Sequence, residues 1–471
     1  MWRTLAVVST LLVFIAPAHP TTHLVRPDGA GEWRTIQEAV DAAVDGDIVE
    51  LTDGTFTGEG NWDVAIIAKA ITVRSQSGNA EDCVIDGGDV SRAFRLSEGA
   101  ATTFENLTVA NGRADPGAAI FCRSSAPTIR SCVFRDNAAA FGGALYCVSA
   151  SPTVSGCHFI RNTAMYGGGI YCISASDPLI MDCVFEDNES NEGGGVRAYG
   201  SAPTLTRCTF SGNRAASGGG LRCMANSSAT IDDCLFVGNS ATNGAGIDCD
   251  QSSPLIENCA FRGDSASYNG GALYCHDGSS PTVVRCTFAE NEAGYDGAVR
   301  CHTDSPPSFT ECAFWANAAT FGGAFVCSAG SDAELTSCTL FGNAASESGG
   351  MLWCLDATPL ITHSILASAI SGAAVETAGT GCPILTCCDL FGNAGGDWVG
   401  CIADQYGADG NINQDPLFCN SEDEDFSLDA SSPCAAENSP ACGLVGAYGV
   451  GCGGTPSVST SWGGLKASFR Q

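Results

Sequence analysis

The sequence predicts an all-β solenoid, a parallel β-helix in which each repeat makes one coil. Three observations predict it. The first is a sentence written about a dozen times, most plainly as FGGALYCVSASPTVSGCHFIRN from Phe141 to Asn162 and YNGGALYCHDGSSPTVVRCTFAEN from Tyr268 to Asn291. The cysteine opening the second half of each copy falls at Cys132, Cys157, Cys183, Cys208, Cys234, Cys259, Cys286, Cys312 and Cys338, in steps of 25 to 27 residues. A period held that tightly marks one structural unit stacked on the next. The second observation is that each copy carries three apolar stretches of three to five residues bounded by Gly, Asn, Ser and Pro, which read as strands. The third is that no helix-length pattern of period 3.6 survives in the repeated region. Three strands and three turns per period form one rung, whose unpaired edge is satisfied by the rung that follows.

Taken in order, residues 1–18 read as a secretory signal: Arg3 precedes the apolar run Leu5 to Ala16, and Ala16-Pro17-Ala18 offers small residues for cleavage. Residues 22–70 hold an N-terminal cap and the first strands. Within them Thr35 caps a short helix whose Ile36, Ala39, Val40 and Ala43 form one face, with Gly46 as its stop. That helix would cover the open first rung.

Residues 71–395 are the β-helix repeats. Alternation along a strand turns Leu145 and Cys147 inward and Tyr146 outward, and likewise Cys157 and Phe159 inward and His158 outward. Gly142-Gly143, Gly270-Gly271 and Gly322-Gly323 make tight corners. An asparagine column runs from Asn111 through Asn137, Asn162, Asn188, Asn213, Asn239, Asn291, Asn317 and Asn343 to Asn393, with Asp264 as a near-isostere. It suits a turn residue tolerating the left-handed region, with amides bonded from rung to rung. Cys83 and Asn106 upstream, and Ser364 and Cys388 downstream, extend the register to about 13 rungs, a rod on the order of 60 Å long. Residues 396–454 form an irregular, disulfide-rich C-terminal cap, in which Cys419, Cys434, Cys442 and Cys452 permit three pairings. Residues 455–471 are a Ser/Thr/Pro linker and a short basic tail.

These repeats, with the entry segment around Val25 and the closing segment at Asp415-Pro416-Leu417-Phe418, resemble the right-handed parallel β-helix proteins of the pectate-lyase-like superfamily. The G-G-A-[LI] and F-x-x-N elements also resemble the repeats of bacterial polymorphic outer-membrane proteins. The resemblance covers roughly residues 22 to 450 and implies a right-handed coil. It does not imply one activity, since that superfamily hosts lyases, hydrolases, adhesins and non-enzymatic surface proteins. Its enzymatic signatures are mostly missing: Asp232-Asp233 is present, but no Gly-His-Gly and no Arg-x-Lys accompany it.

A formal charge of −31 opposes a role in gripping nucleic acid or anionic membranes. No cofactor is expected. Acidic surfaces can hold Ca2+, but no repeat has Asp-x-Asp-x-Asp-Gly spacing, and no metal ligand is assigned. With the signal removed no transmembrane anchor is expected, and the chain reads as a monomer, secreted or at the cell surface. Twenty-seven cysteines in an exported chain point to disulfides. Zinc is disfavoured by the lack of C-x-x-C pairs. A first column of Cys122, Cys147, Cys172, Cys223, Cys249, Cys275, Cys301, Cys327 and Cys354 precedes the second by 10 or 11 residues. The expectation is cross-links within a rung: Cys122 with Cys132, Cys147 with Cys157, Cys172 with Cys183, Cys223 with Cys234, Cys249 with Cys259, Cys275 with Cys286, Cys301 with Cys312 and Cys327 with Cys338. The alternative is a stack of reduced, buried cysteines acting as small hydrophobes. Ala198 and Ser364, each leaving a cysteine without its rung partner, keep that alternative open.

Chemistry is expected on the outward stripe preceding the first cysteine column: Phe121, Tyr146, Tyr171, Arg197, Arg222, Asp248, Tyr274, Arg300, Val326 and Trp353. Asp250, His276 and His302 lie beyond that column in three successive rungs. Tyr146, Tyr171, Tyr274 and Trp353 can stack on sugar rings, and Arg197, Arg222 and Arg300 can grip a carboxylate. The same columns also read as a ladder of exposed cross-strand pairs that stabilises the sheet. The expected role is binding or structural, toward polysaccharide or other cell-surface glycan. The alternative is a polysaccharide lyase or glycoside hydrolase using Asp248, Asp250, His276, Arg300 and His302.

Overall fold

The computed structural model describes residues 20–452, so the signal segment and the C-terminal linker and tail lie outside the described residues. The chain coils into three long sheets. One has 15 strands, from Thr22–Val25 to Ile384–Thr386. One has 13, from Val64–Ile67 to Val375–Ala378, and one has 14, from Gly54–Phe56 to Asp389–Phe391. Neighbours in all three sheets are parallel and in register, so Cys122 lies opposite Cys147 and Cys147 opposite Cys172. The fold is the parallel β-helix the period predicts, with 13 to 15 strands per sheet where about 13 rungs are expected.

Like residues stack because parallel in-register strands set equivalent positions about 4.8 Å apart. Phe134, Phe159, Phe185, Phe210, Phe236, Phe261, Phe288 and Phe314 form one column inside the coil, with ring centroids 4.6–5.0 Å apart. Beside it, asparagines satisfy a buried corner. Asn213 Nδ2 donates to the Phe185 carbonyl at 2.9 Å and to Asn239 Oδ1 at 3.0 Å, and Asn188 repeats the pattern one rung earlier. Two details differ from expectation. The left-handed residue is the one before each asparagine (Asp136, Arg161, Asp187), because the amide needs an ordinary backbone to reach two partners. And Gly112, not Asn111, occupies the column's first place: Asn137 Oδ1 accepts from the Gly112 N–H, while Asn111 takes the left-handed position. A third column was not anticipated: Ser176, Ser201, Ser227, Ser252, Ser279, Ser305 and Ser331 each accept a backbone N–H from the rung before at 3.0–3.3 Å.

The cysteine columns are reduced thiols, and the within-rung disulfides are corrected. Cys122, Cys132, Cys147, Cys157, Cys172, Cys183, Cys223, Cys234, Cys249, Cys259, Cys275, Cys286, Cys301, Cys312, Cys327 and Cys338 are all free and buried. A whole strand lies between the two cysteines of a rung, as Thr153–Ser155 separates Cys147, in Leu145–Val148, from Cys157, in the turn before His158–Ile160. Cysteines of one column are neighbours, but parallel side chains keep the strand spacing of about 4.8 Å, beyond the ~3.5–4.5 Å between Cβ atoms of a disulfide. The second-column thiols donate instead to carbonyls, Cys157 to Ser155 at 3.3 Å and Cys183 to Met181 at 3.1 Å. Burial pushes the Cys157 thiol up, away from the reactive thiolate.

The N-terminal helix spans Ile36–Ala42; Thr35 Oγ1 accepts the Glu38 N–H at 3.2 Å, and Ile36, Ala39 and Val40 are buried against the first rung. At the other end Ile402, on a short 3-10 turn, is fully buried. The cap cysteines do not pair among themselves alone. Cys419 bonds Cys452, Cys442 bonds Cys387, Cys382 bonds Cys401, and Cys434 is free. The closing segment runs back along the 14-stranded sheet, where Phe426 packs on Trp315 and Phe341, and Arg262 pairs with Glu424 at 3.0 Å.

Candidate functional site

The stripe is continuous. Phe121, Tyr146, Tyr171, Arg197, Arg222, Asp248, Tyr274, Arg300, Val326 and Trp353 follow one another in register along the 13-stranded sheet. It is not the open solvent face the alternation suggests. Tyr171, Arg197, Asp248, Arg300 and Val326 are buried. The cause is a fourth strand in each rung, between the asparagine column and the glycine corner. It forms a two-stranded sheet (Ala138–Phe141 with Thr163–Tyr166), a five-stranded sheet from Ser240–Asn243 to Ala344–Ser348, and single bridges through Glu192 and Ser217. Its Ala-, Ser- and Asn-rich sequences read as turn. Gly142 and its equivalents then fold this wall against the stripe; at φ 64° a side chain on Gly142 would strike the Leu145 carbonyl.

The wall supplies partners that sequence reasoning missed. Arg197 lies over Tyr166 and Tyr171, 4.6 Å from each centroid, and pairs with Glu192 at 2.8 Å. Glu192 also meets Arg222 at 3.1 Å, and Arg222 reaches Asp248 and Asp250, each at 3.3 Å. His276 Nε2 stands 3.6 Å from Asp248 Oδ1, its Nδ1 is 3.0 Å from Asp277 Oδ2, and its ring stacks on Tyr274 at 4.6 Å. Burial opposes charge on His276, but Asp248 and Asp277 outweigh it and raise its pKa to about 9. Burial pushes the Tyr274 hydroxyl up to about 12. So Asp248, Asp250, Tyr274 and His276 do share one patch, tied to Arg222.

Arg300 and His302 form a second group. Arg300 pairs with Asp296 of the wall at 2.9 Å, and His302 Nδ1 lies 2.8 Å from Ser328 Oγ. Burial and the Arg300 guanidinium lower the His302 pKa, so its imidazole is neutral where His276 is charged. Trp353 packs on Phe321 of the wall at 4.8 Å, and Tyr146 joins Phe141, Tyr166 and Tyr171 in an aromatic cluster. Asp232 closes the strand Thr230–Asp232 and accepts from Asn258 at 2.8 Å, while Asp233 is exposed in the turn, away from the stripe. A signal for the wall does exist in the sequence: the residue before each corner glycine (Phe141, Tyr166, Glu192, Asp296, Phe321) is itself periodic.

Toward its N-terminal end the same sheet holds an open depression of about 390 Å3, lined by Ala65, Ile67, Arg95, Ser97, Phe121 and Arg123 among others. Arg95 and Arg123 are exposed, and Arg123 forms no ion pair among the described residues. This lining pairs an aromatic floor with two guanidinium groups, Arg95 standing 3.6 Å from Asp63, and it also includes Glu98.

No described helix is long and apolar enough to cross a membrane. No curated protein sequence matches the chain. Among solved structures it is similar to a PL6 alginate lyase in complex with a trisaccharide, at 12% identity and a TM-score of 0.41 over 73% of this chain and 85% of that one. It is similar also to a pectate lyase, at 11% identity and a TM-score of 0.32 over 92% and 97%, and to the A-module of an Azotobacter vinelandii mannuronan C-5 epimerase, at 11% and 0.36 over 77% and 100%. At these values no activity transfers. The family model described as the right handed beta helix region matches residues 69–236, 189–296 and 219–389, and the chain therefore belongs to the right-handed β-helix family.

Proposed function

We propose that this is an exported β-helix that binds polysaccharide, with the glycan lying along the 13-stranded sheet from the depression over Phe121 toward Tyr146. The observation that carries this reading is that depression: its volume suits one or two sugar rings, Phe121 offers a face for stacking, and Arg95 and Arg123 offer bidentate contacts to an acidic substituent. Further along, Arg197 and Arg222 share Glu192 and Arg222 also pairs with Asp248, which supports a rigid framework more than a catalytic one. A second reading, a polysaccharide lyase or glycoside hydrolase, is favoured by the neutral His302 imidazole beside Arg300, the pairing of a base with a carboxylate-gripping cation. Glycan-array binding with parallel measurement of unsaturated uronide release separates them. Binding lost in Phe121→Ala and Arg123→Ala, without turnover, is the expected result. Unsaturated product abolished in His302→Ala would establish a lyase instead, and failure of both assays would leave a hydrolase or a purely structural component.

A further inference from the structure

Charge on the 13-stranded sheet is grouped, and the grouping bears on which glycans fit. In the depression Arg95 and Arg123 are exposed on adjacent strands, with Phe121 directly opposite Arg95. Arg95 already stands 3.6 Å from Asp63, whereas Arg123 forms no ion pair among the described residues. Toward the N-terminus the next rung presents only Ala65 and Ile67. Toward the C-terminus two rungs follow without charge: residues 138–157 and 163–176 contain no Asp, Glu, Lys or Arg. Their outward residues on the sheet are Tyr146 and Val148, then Tyr171 and Ile173, in register with Phe121 and Arg123. The wall adds Phe141, 38% exposed and 6.1 Å from the Tyr146 ring, and the turns on the other side line up exposed Ser124, Ser149 and Ser174. The next cation, Arg197, is already paired with Glu192 at 2.8 Å and covered by the rings of Tyr166 and Tyr171. From Arg123 to Tyr199 is three rungs, about 14 Å without an available cation.

We infer that this sheet selects a glycan whose anionic sugar is flanked by uncharged ones, an acidic heteropolysaccharide and not a polyuronate. The selectivity rests on the glycan-binding reading above and adds the charge spacing of the ligand. An anionic substituent meets its two-pronged partner at Arg123. A neutral sugar turns its C–H face to Tyr146 and its hydroxyls to the serine edge, contacts that need no charge. A polyuronate instead carries a carboxylate on every ring, and a chain lying along three rungs presses the later ones against Tyr146, Val148 and Ile173. There the negative face of an aromatic ring repels an anion, and the carboxylate gives up water without gaining a partner. Arg197 cannot turn out to meet it without abandoning Glu192 and leaving that carboxylate to Arg222 alone.

The probes are oligosaccharides of matched length, titrated calorimetrically into the purified protein. Gellan, whose uronates are spaced by neutral sugars, and a sparsely sulfated galactan tell carboxylate from sulfate as the anion. Polygalacturonate and alginate carry a charge on every ring. The expected result is affinity for a spaced ligand about tenfold or more above either polyuronate, the cost of forcing one carboxylate onto an apolar face. Arg123→Ala and Tyr146→Ala should each weaken the spaced ligand. Val148→Arg, which adds a cation in register beside Arg123, should raise polygalacturonate affinity by about the same factor. Circular dichroism confirms the β-helix in each variant. A polyuronate bound as tightly as the spaced ligands, or one unimproved by Val148→Arg, would overturn the charge spacing while glycan binding stands. A neutral glucan bound as tightly as gellan would do the same. No binding of any of these glycans would remove the glycan-binding reading and the selectivity with it.

Discussion

Asp264 interrupts the asparagine column, and replacing it by asparagine should stabilise the protein in a pH-dependent way. Its Oδ1 accepts from the Asn239 N–H at 2.7 Å and from Asn239 Nδ2 at 2.9 Å, as an asparagine oxygen would. Its Oδ2 stands where every other rung has an Nδ2 donor; it is fully buried and has no hydrogen-bond partner. Burial raises this carboxyl from 3.8 to about 8, against the pull of the two Asn239 hydrogen bonds. Between those pH values the unfolded chain has released a proton that the folded chain keeps, so stability falls as pH rises, by about 1.4 kcal/mol per unit. From pH 4 to pH 7 the loss is on the order of 4 kcal/mol, an upper bound because the column can relax around the charge. Asp264→Asn restores the missing donor and removes the titration. In urea unfolding followed by circular dichroism, the variant should gain about 2–4 kcal/mol over wild type at pH 7, with the gap closing toward pH 4 and levelling off above pH 8. A variant that is less stable at pH 7, or a gap independent of pH, would refute a neutral acid in the column.

Removing a member elsewhere should do the opposite: Asn213→Ala strands the Phe185 carbonyl and the Asn188 amide, and a loss of about 2–4 kcal/mol is expected by the same urea assay. Iodoacetamide should label none of the 21 free cysteines in the native protein and all of them after denaturation without reductant, leaving Cys382–Cys401, Cys387–Cys442 and Cys419–Cys452 intact in peptide maps. Arg197→Ala should cost about 2–3 kcal/mol, less than a fully orphaned buried pair because Glu192 keeps Arg222, and Arg197→Lys should recover only part of it, since an ammonium cannot lie flat over Tyr166 and Tyr171.

What the sequence made legible was whatever repeats. Period gives register, and register alone places Phe121 to Trp353 on one line, because equivalent letters must pile up when neighbouring strands are parallel. The fourth strand stayed hidden because Ala138–Phe141 is mostly alanine and Ser240–Asn243 ends in asparagine, residue types that strands disfavour; they pair because the rungs on either side hold them. With the wall unseen, Arg197 and Arg300 read as exposed, and their real partners, Glu192 and Asp296, went unnamed. The disulfide expectation failed for a different reason. Compartment favours oxidation, but bond geometry decides it, and neither a 10-residue step within a rung nor the strand spacing between rungs brings two Cβ atoms to the required distance.

A stacked fold also gives a way to separate structural residues from functional ones. In the columns that face inward a substitution is felt by two neighbouring rungs at once, so departures there carry a cost that a surface position does not. Asp264 is such a departure, and it closes the copy that carries Asp248 and Asp250. In that same copy Asp248 buries a carboxylate where its neighbours hold an arginine or an aromatic. One coil thus holds two buried carboxyls at positions that its neighbours fill with other groups. Proteins keep local violations of their own pattern mainly where function requires them.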